Sequence, residues 1–360
     1  MMVVGGFFIF LIAWLCLPFV PGIIEIIKKT DAAPLNVVRD YDVDVHYFAN
    51  GFRQYVKEHF STIFSEPQNE GVVEGLLDDE THYYVLNQIN SVPFKKEEKN
   101  SQITHSMLIS TDSLKLPDLM SYLTEIYAAD SITGGKEDIY RALLAENDIE
   151  IAEGSLVLRW MHAGHSINVK PRCVLFGRVS ANDSIHLTRE CHFERLYAAT
   201  IQFGRNLPVH QDLTGTNILS PDDLSYKIDT RGERWLIETD VTIPAHSLID
   251  TNLVVVGKLT IGKGCRINGS VKSRHELHLG EGCEITGSLV SNENIFCKNN
   301  CRISGPVISE KAIFLDPHTI IGSKEKPTTM TAEEIHVLTN SVAFGSVWAR
   351  QKGTVMVNNN

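Results

Sequence analysis

The sequence predicts a mainly β fold: a single-stranded β-helix, or solenoid, of triangular eighteen-residue coils, preceded by a transmembrane helix and a small α/β juxtamembrane region. Three observations predict it. Apolar or small residues recur every six positions, from Leu259 through Cys265, Val271, Leu277, Cys283, Leu289, Ile295, Cys301, Val307 and Ile313 to Thr319. A second such series runs two residues later, from Ile261 through Ile267, Ser273, Leu279, Ile285, Ser291, Cys297, Ile303, Ser309 and Leu315 to Ile321. The likeness is stronger at eighteen: Ile-Asn-Gly-Ser-Val-Lys-Ser (267–273), Ile-Thr-Gly-Ser-Leu-Val-Ser (285–291) and Ile-Ser-Gly-Pro-Val-Ile-Ser (303–309).

Residues at i and i+2 point to one side of a strand. An inward pair every six positions therefore describes very short strands joined by tight corners, and three such sides make one coil. Coils stack at the inter-strand spacing of ~4.8 Å, so equivalent residues form ladders down the interior. Gly269, Gly287 and Gly305 fall together at one corner.

The rest of the chain follows in order. Residues 1–24 carry no charged side chain and are rich in large apolar residues, Phe7, Phe8 and Trp14 among them. That is long enough to cross ~30 Å of hydrocarbon as a helix. A cleaved signal peptide would need a basic n-region, and none precedes the apolar run. Lys28, Lys29 and Arg39 lie on its C-terminal side, so the positive-inside rule places the body in the cytoplasm, on a single-pass anchor. Residues 25–125 read as the juxtamembrane α/β region. Phe52, Tyr55, Val56, Phe60, Ile63 and Phe64 recur at helical spacing, which predicts an amphipathic helix over 47–64. Residues 95–101 read as a solvated loop, 103–110 as a strand, and 117–127 as a short helix with Pro117 at its first position.

The repeat recurs upstream of the large insertion, and the β-helix is expected over 126–352 with a tail at 353–360. Ile167, Val169, Cys173, Leu175, Gly177, Val179 and Ala181 match Ile185, Leu187, Cys191, Phe193, Arg195, Tyr197 and Ala199 one coil later. Ile149 to Ala163 fits as the preceding coil, and Ile139, Arg141, Leu143 and Ala145 extend the register, with a helical turn over 137–144 as the alternative. Insertions are expected at 202–233 and 322–334, leaving four coils before the first and five after it. The last coil runs Ile335, Val337, Ser341, Ala343, Gly345, Val347, Ala349.

Composition excludes some functions. A net charge of −11 gives no basic face for nucleic acid. Of the seven cysteines, Cys16 lies in the apolar N-terminus and the others on inward positions, which reads as buried small hydrophobes in a reducing compartment. Stacking brings Cys265, Cys283 and Cys301 close, but no Cys-x-x-Cys spacing supports a metal. His162, His165, His275 and His278 read as surface histidines. Arg141, Arg159 and Arg195 share one corner position, interrupted by Gly177. No phosphate loop, catalytic triad or metal-ligand spacing stands out, so no catalytic residue and no cofactor is expected.

Two families share such a repeat. Ile-Gly-Lys-Gly-Cys-Arg (261–266) and Leu-Gly-Glu-Gly-Cys-Glu (279–284) fit the hexapeptide pattern of left-handed β-helix acyltransferases. The fuller phrase, continuing through Ile-x-Gly-Ser-Val/Leu-x-Ser, more closely resembles the bactofilins over 241–321 and, more loosely, over 149–199. That resemblance implies a non-enzymatic bacterial cytoskeletal protein, polymerising end to end at the inner membrane. It makes the last coil the expected assembly interface, with Ile335, Val337, Ala343 and Val347 meeting the next subunit. Other protein partners are unknown; an acyltransferase or an envelope carbohydrate-binding β-helix is the alternative.

Overall fold

The computed structural model describes residues 44–65, 71–77, 80–89, 91–204, 217–230 and 234–357. The expected anchor residues Phe7, Phe8, Trp14, Lys28 and Lys29 lie outside them. No helix among the described residues is long and apolar enough to cross a membrane.

The body is a β-solenoid of about 13 turns. Parallel pairing follows the sequence repeat: Ile167 lies between Ile149 and Ile185, and Leu277 between Leu259 and Ile295. Both six-residue series point inward and are buried along their length. At one corner the inward residue is also a donor to the preceding coil. The Cys173, Cys191, Cys265, Cys283 and Cys301 thiols point at the carbonyls of Ala152, Lys170, Pro244, Gly262 and Gly280, at 3.0–3.2 Å. Ser155 does the same to Gly135 at 3.0 Å. A small S–H or O–H group belongs here because it fills the corner and satisfies a carbonyl that the turn leaves outside the ladder.

The coils form two stacks. The first climbs from the strand His82–Asn87 to His192–Phe203; the second climbs from Arg234–Ile237 to Ser341–Met356. Their last coils meet. Side A of the triangle pairs His192 with Thr354 and Phe193 with Gly353. Side B pairs 195–198 with 348–345, and side C pairs 201–203 with 343–341. All of this pairing is antiparallel, whereas pairing between successive coils is parallel. The reason is geometric: two stacks meeting by their C-terminal ends are related by a two-fold across the axis, so their strands run in opposite senses. Gly353 is required at the seam, because the Phe193 ring occupies the space its Cβ would need.

Several expectations need correction. The solenoid begins near residue 82 rather than 126, since 83–86, 107–110 and 125–128 stack as side B of its first coils. Residues 117–127 hold no helix; Ser121–Ala128 is a strand, with Tyr122 inside. Residues 137–144 lie largely in the strand Ile139–Ala145, in which Tyr140 rather than Ile139 points inward. The Lys96–Ser101 stretch is a short helix. After Phe193 the corner is one residue shorter, so Leu196 and Ala198 point inward while Arg195, Tyr197 and Ala199 do not. Within 322–334 the strand Thr328–Leu338 already belongs to the stack, and the last coil runs on to Met356.

The helix expected over 47–64 is present as α1 (Tyr47–Ser65). It lies on side B of the first stack. Ala49, Phe52, Val56 and Phe60 bury against the outward residues Val85, Met107, Ile109, Tyr127, Ala142, Leu144 and Trp160. Side B of these coils is therefore apolar on both surfaces, an outer stripe the solenoid rule alone leaves without cover.

Candidate functional site

The expected assembly residues are all inside the body. Ile335, Val337, Ala343 and Val347 are at most 3% exposed. Val347 lies between Met330 of the coil before it and Leu196 of the first stack. The edge that was to meet another subunit is thus taken by the same chain. This corrects the assignment of the C-terminal coil as an assembly end.

The outer ends of both stacks carry non-repeat elements. At the start of the first, Gly71–Leu76 pairs antiparallel with His82–Asn87 along side B, and Val92 and Phe94 pack into the core. The Tyr84 hydroxyl donates to Glu98, on the short helix, at 3.0 Å. At the start of the second stack, part of the expected insertion is structural. Asn217–Ile218 pairs along side C, Ile228–Asp229 pairs antiparallel along side B, and the Thr242 N–H approaches the Tyr226 hydroxyl at 3.4 Å on side A. Leu219, Leu224, Tyr226 and Ile228 pack on the core there. Edges covered in this way are what keeps a repeat stack from pairing with another chain.

The three long sides differ. Side C is polar, and in the second stack Arg266, Glu284 and Arg302 follow one another outward. Side A of the second stack carries a column of rings: His278, Phe296, Phe314 and His336, stacked at 4.5–4.8 Å. Glu276 and Glu334 hold the two terminal imidazoles at 3.2 and 2.9 Å. The rings cover one another's faces and offer mainly edges to solvent, so a sugar ring, which stacks on an aromatic face, finds no platform along this column.

The histidines expected at the surface separate. His165 pairs with Asp148 at 2.8 Å and faces Asp183 at 3.8 Å. His275 and His278 also meet carboxylates, of Glu293 and Glu276. His162 is buried, which corrects its surface assignment. Its Nδ1 lies 2.9 Å from the Ser180 hydroxyl and its ring 4.9 Å from that of His46. Burial, with the nearby His46, pushes it down to about 4. The arginines do not form one column either: Arg141 pairs with Glu125 at 3.0 Å, and Arg195 aligns with Arg178 rather than with Gly177. Arg195 instead lies over the Trp348 ring, 4.5 Å from its centre.

Sequence reasoning missed one interior group. Asp138 occupies the corner position taken elsewhere by Cys or Ser and is fully buried. It accepts bonds from the Met120 and Gly135 N–H groups at 2.8 and 3.0 Å and from the Tyr140 hydroxyl at 2.6 Å. Burial outweighs these donors and pushes its carboxyl up to about 6. The strict eighteen-residue count from Cys173 and Ser155 lands on Glu137, one residue off, which is why the sequence hid it. The cysteine ladder is spent on backbone carbonyls, and burial pushes the Cys297 thiol above its ordinary range. No group of three or more His, Cys, Asp or Glu side chains placed to share an ion occurs among the described residues. No family model, no curated protein and no solved structure matches the chain.

Proposed function

We propose that this chain is a non-enzymatic scaffold of fixed length, held at a membrane by residues 1–24, whose long sides recruit partners. The observation that carries this reading is the antiparallel seam between the last coils. Two stacks that spend their C-terminal ends on each other, and carry non-repeat segments at their outer ends, leave no bare repeat edge among the described residues on which to grow. The bactofilin-like repeat then serves as a rigid spacer of roughly 60 Å, at ~4.8 Å per turn, instead of a filament subunit.

Light scattering on the detergent-solubilised full chain, with negative-stain microscopy, tests the proposal. It expects short single-chain particles at every concentration. Concentration-dependent filaments would reject the fixed length. A discrete trimer with acyl-transfer activity would favour the hexapeptide acyltransferase reading.

A further inference from the structure

One exposed patch is explained neither by the solenoid nor by α1. On side B and its corner with side A, Phe48, Leu158, Phe176 and Trp348 are 48, 40, 41 and 41% exposed. Arg159 and Arg195 stand among them, both exposed. Phe48 stacks on Trp160, two residues after Leu158; Arg178, two residues after Phe176, lies over the Phe48 ring at 5.5 Å; and Arg195, aligned with Arg178 one coil on, bridges the seam to Trp348. Glu194, beside Arg195 on the corner, accepts the Gly177 N–H at 2.9 Å.

We propose that this patch docks on an anionic lipid surface. This rests on the membrane tether of the preceding section. Two features select lipid as the occupant. Three rings and a leucine flanked by guanidinium groups suit the boundary between acyl chains and acidic headgroups, where the apolar part sinks and the cation stays with phosphate. The chain also enters the body here, since Tyr47 and Phe48 open α1. Twenty residues, 25–44, separate the proposed anchor from this edge and reach at most ~65 Å at full extension, so an anchored chain holds the edge no farther than that from the bilayer. On a chain of net charge −11, a patch whose exposed cations lie among rings is where an acidic membrane is drawn in.

The test uses the full chain in nanodiscs of phosphatidylcholine with or without phosphatidylglycerol, with brominated acyl chains as quencher. Trp348→Phe supplies the reference that isolates the Trp348 signal. Trp348 should be quenched in the phosphatidylglycerol discs, and much less in pure phosphatidylcholine or at high salt. Each arginine near such a surface is worth about fivefold in occupancy, so Arg159→Glu with Arg195→Glu should abolish the quenching while circular dichroism stays unchanged. Arg159→Glu alone, remote from the seam, should lower it and guards against a folding defect in the double variant. Incorporated protein whose Trp348 is equally unquenched in both discs overturns the docking and leaves the tether standing. A chain that does not enter the discs at all overturns the tether, and the docking with it. Protection of Trp348 from aqueous quencher in lipid-free dimers would assign the patch to a second copy and overturn the lipid proposal.

Discussion

At the scale of single residues, the interior distinguishes neighbours sharply. Ile285 is fully buried between Ile267 and Ile303. Ile285→Asp should therefore cost several kcal/mol, because a lone carboxylate in a dry ladder has no partner. Glu284 faces outward between Arg266 and Arg302, so Glu284→Lys stacks three cations but stays hydrated, at a cost of about 1 kcal/mol or less. Equal urea midpoints for the two variants would contradict the register. A subtler prediction concerns pH. Asp138, raised from 3.8 to about 6, stabilises the fold in its protonated form, fully below pH 3.8, and that contribution is lost as pH rises through about 6. His162, lowered from 6.5 to about 4, acts oppositely: its contribution is present above pH 6.5 and lost as pH falls through about 4. Each amounts to about 3 kcal/mol at ~1.4 kcal/mol per unit, and the two act against each other between pH 4 and 6.5. Asp138→Asn should expose stability that rises with pH across this window. His162→Asn, which keeps a donor for Ser180, should expose stability that falls. Denaturant titrations at pH 4.5 and 6.5 check both, and parallel slopes in the two variants would contradict the assignment.

At the scale of elements, what the sequence revealed depended on how strictly each element repeats. The second stack was legible to the residue between Val241 and Ile321, because every rung there is a short strand with its apolar or small pair at i and i+2. Helix α1 was legible from its 3.6-residue stripe. The first coils were not, because their sides carry apolar residues on both surfaces: Val85, Ile109, Tyr127 and Leu144 point outward to α1 and hide the alternation. Residues 117–127 illustrate the failure, since Pro117 before a dense apolar run imitates a helix start while Ser121–Ala128 pairs in parallel with its neighbours. The one-residue shortening after Phe193 inverted the assignment of Arg195 and Tyr197 for a similar reason, as no six-residue rule anticipates a corner that loses a residue. Helix α1 yields a prediction of its own. Phe60 is 1% exposed beneath the helix and meets the Tyr83 ring at 5.0 Å. Phe60→Ala should cost about 3–5 kcal/mol, and hydrogen exchange should quicken in α1 before it does in the solenoid strands. Uniform acceleration through the second stack would mean that the helix is not an independently docked element.

At the scale of the whole body, no expectation drawn from the repeat anticipated the seam. Periodicity says that coils stack; it does not say which end of a stack meets which. The insertion at 202–233 was the hint, since a chain leaving the last coil of one stack must reach the far end of another before it can climb back. The assembly residues read from the sequence are therefore seam residues. Val347→Arg, expected from the repeat alone to leave the fold intact and stop assembly, should instead place a charge inside the closed core and lower stability by several kcal/mol. Thermal denaturation of that variant is the check. The seam itself is tested most directly by a cross-link at His192 and Thr354, which face each other across it with side chains in contact at 3.2 Å. Opposed residues of an antiparallel pair lie ~4.5–5.5 Å apart at Cα, within the range a disulfide requires. The variant carrying His192→Cys and Thr354→Cys should oxidise readily to a single-chain species of faster electrophoretic mobility, reversed by reductant. Covalent dimers, or two thiols that stay free under oxidation, would contradict a seam formed within one chain.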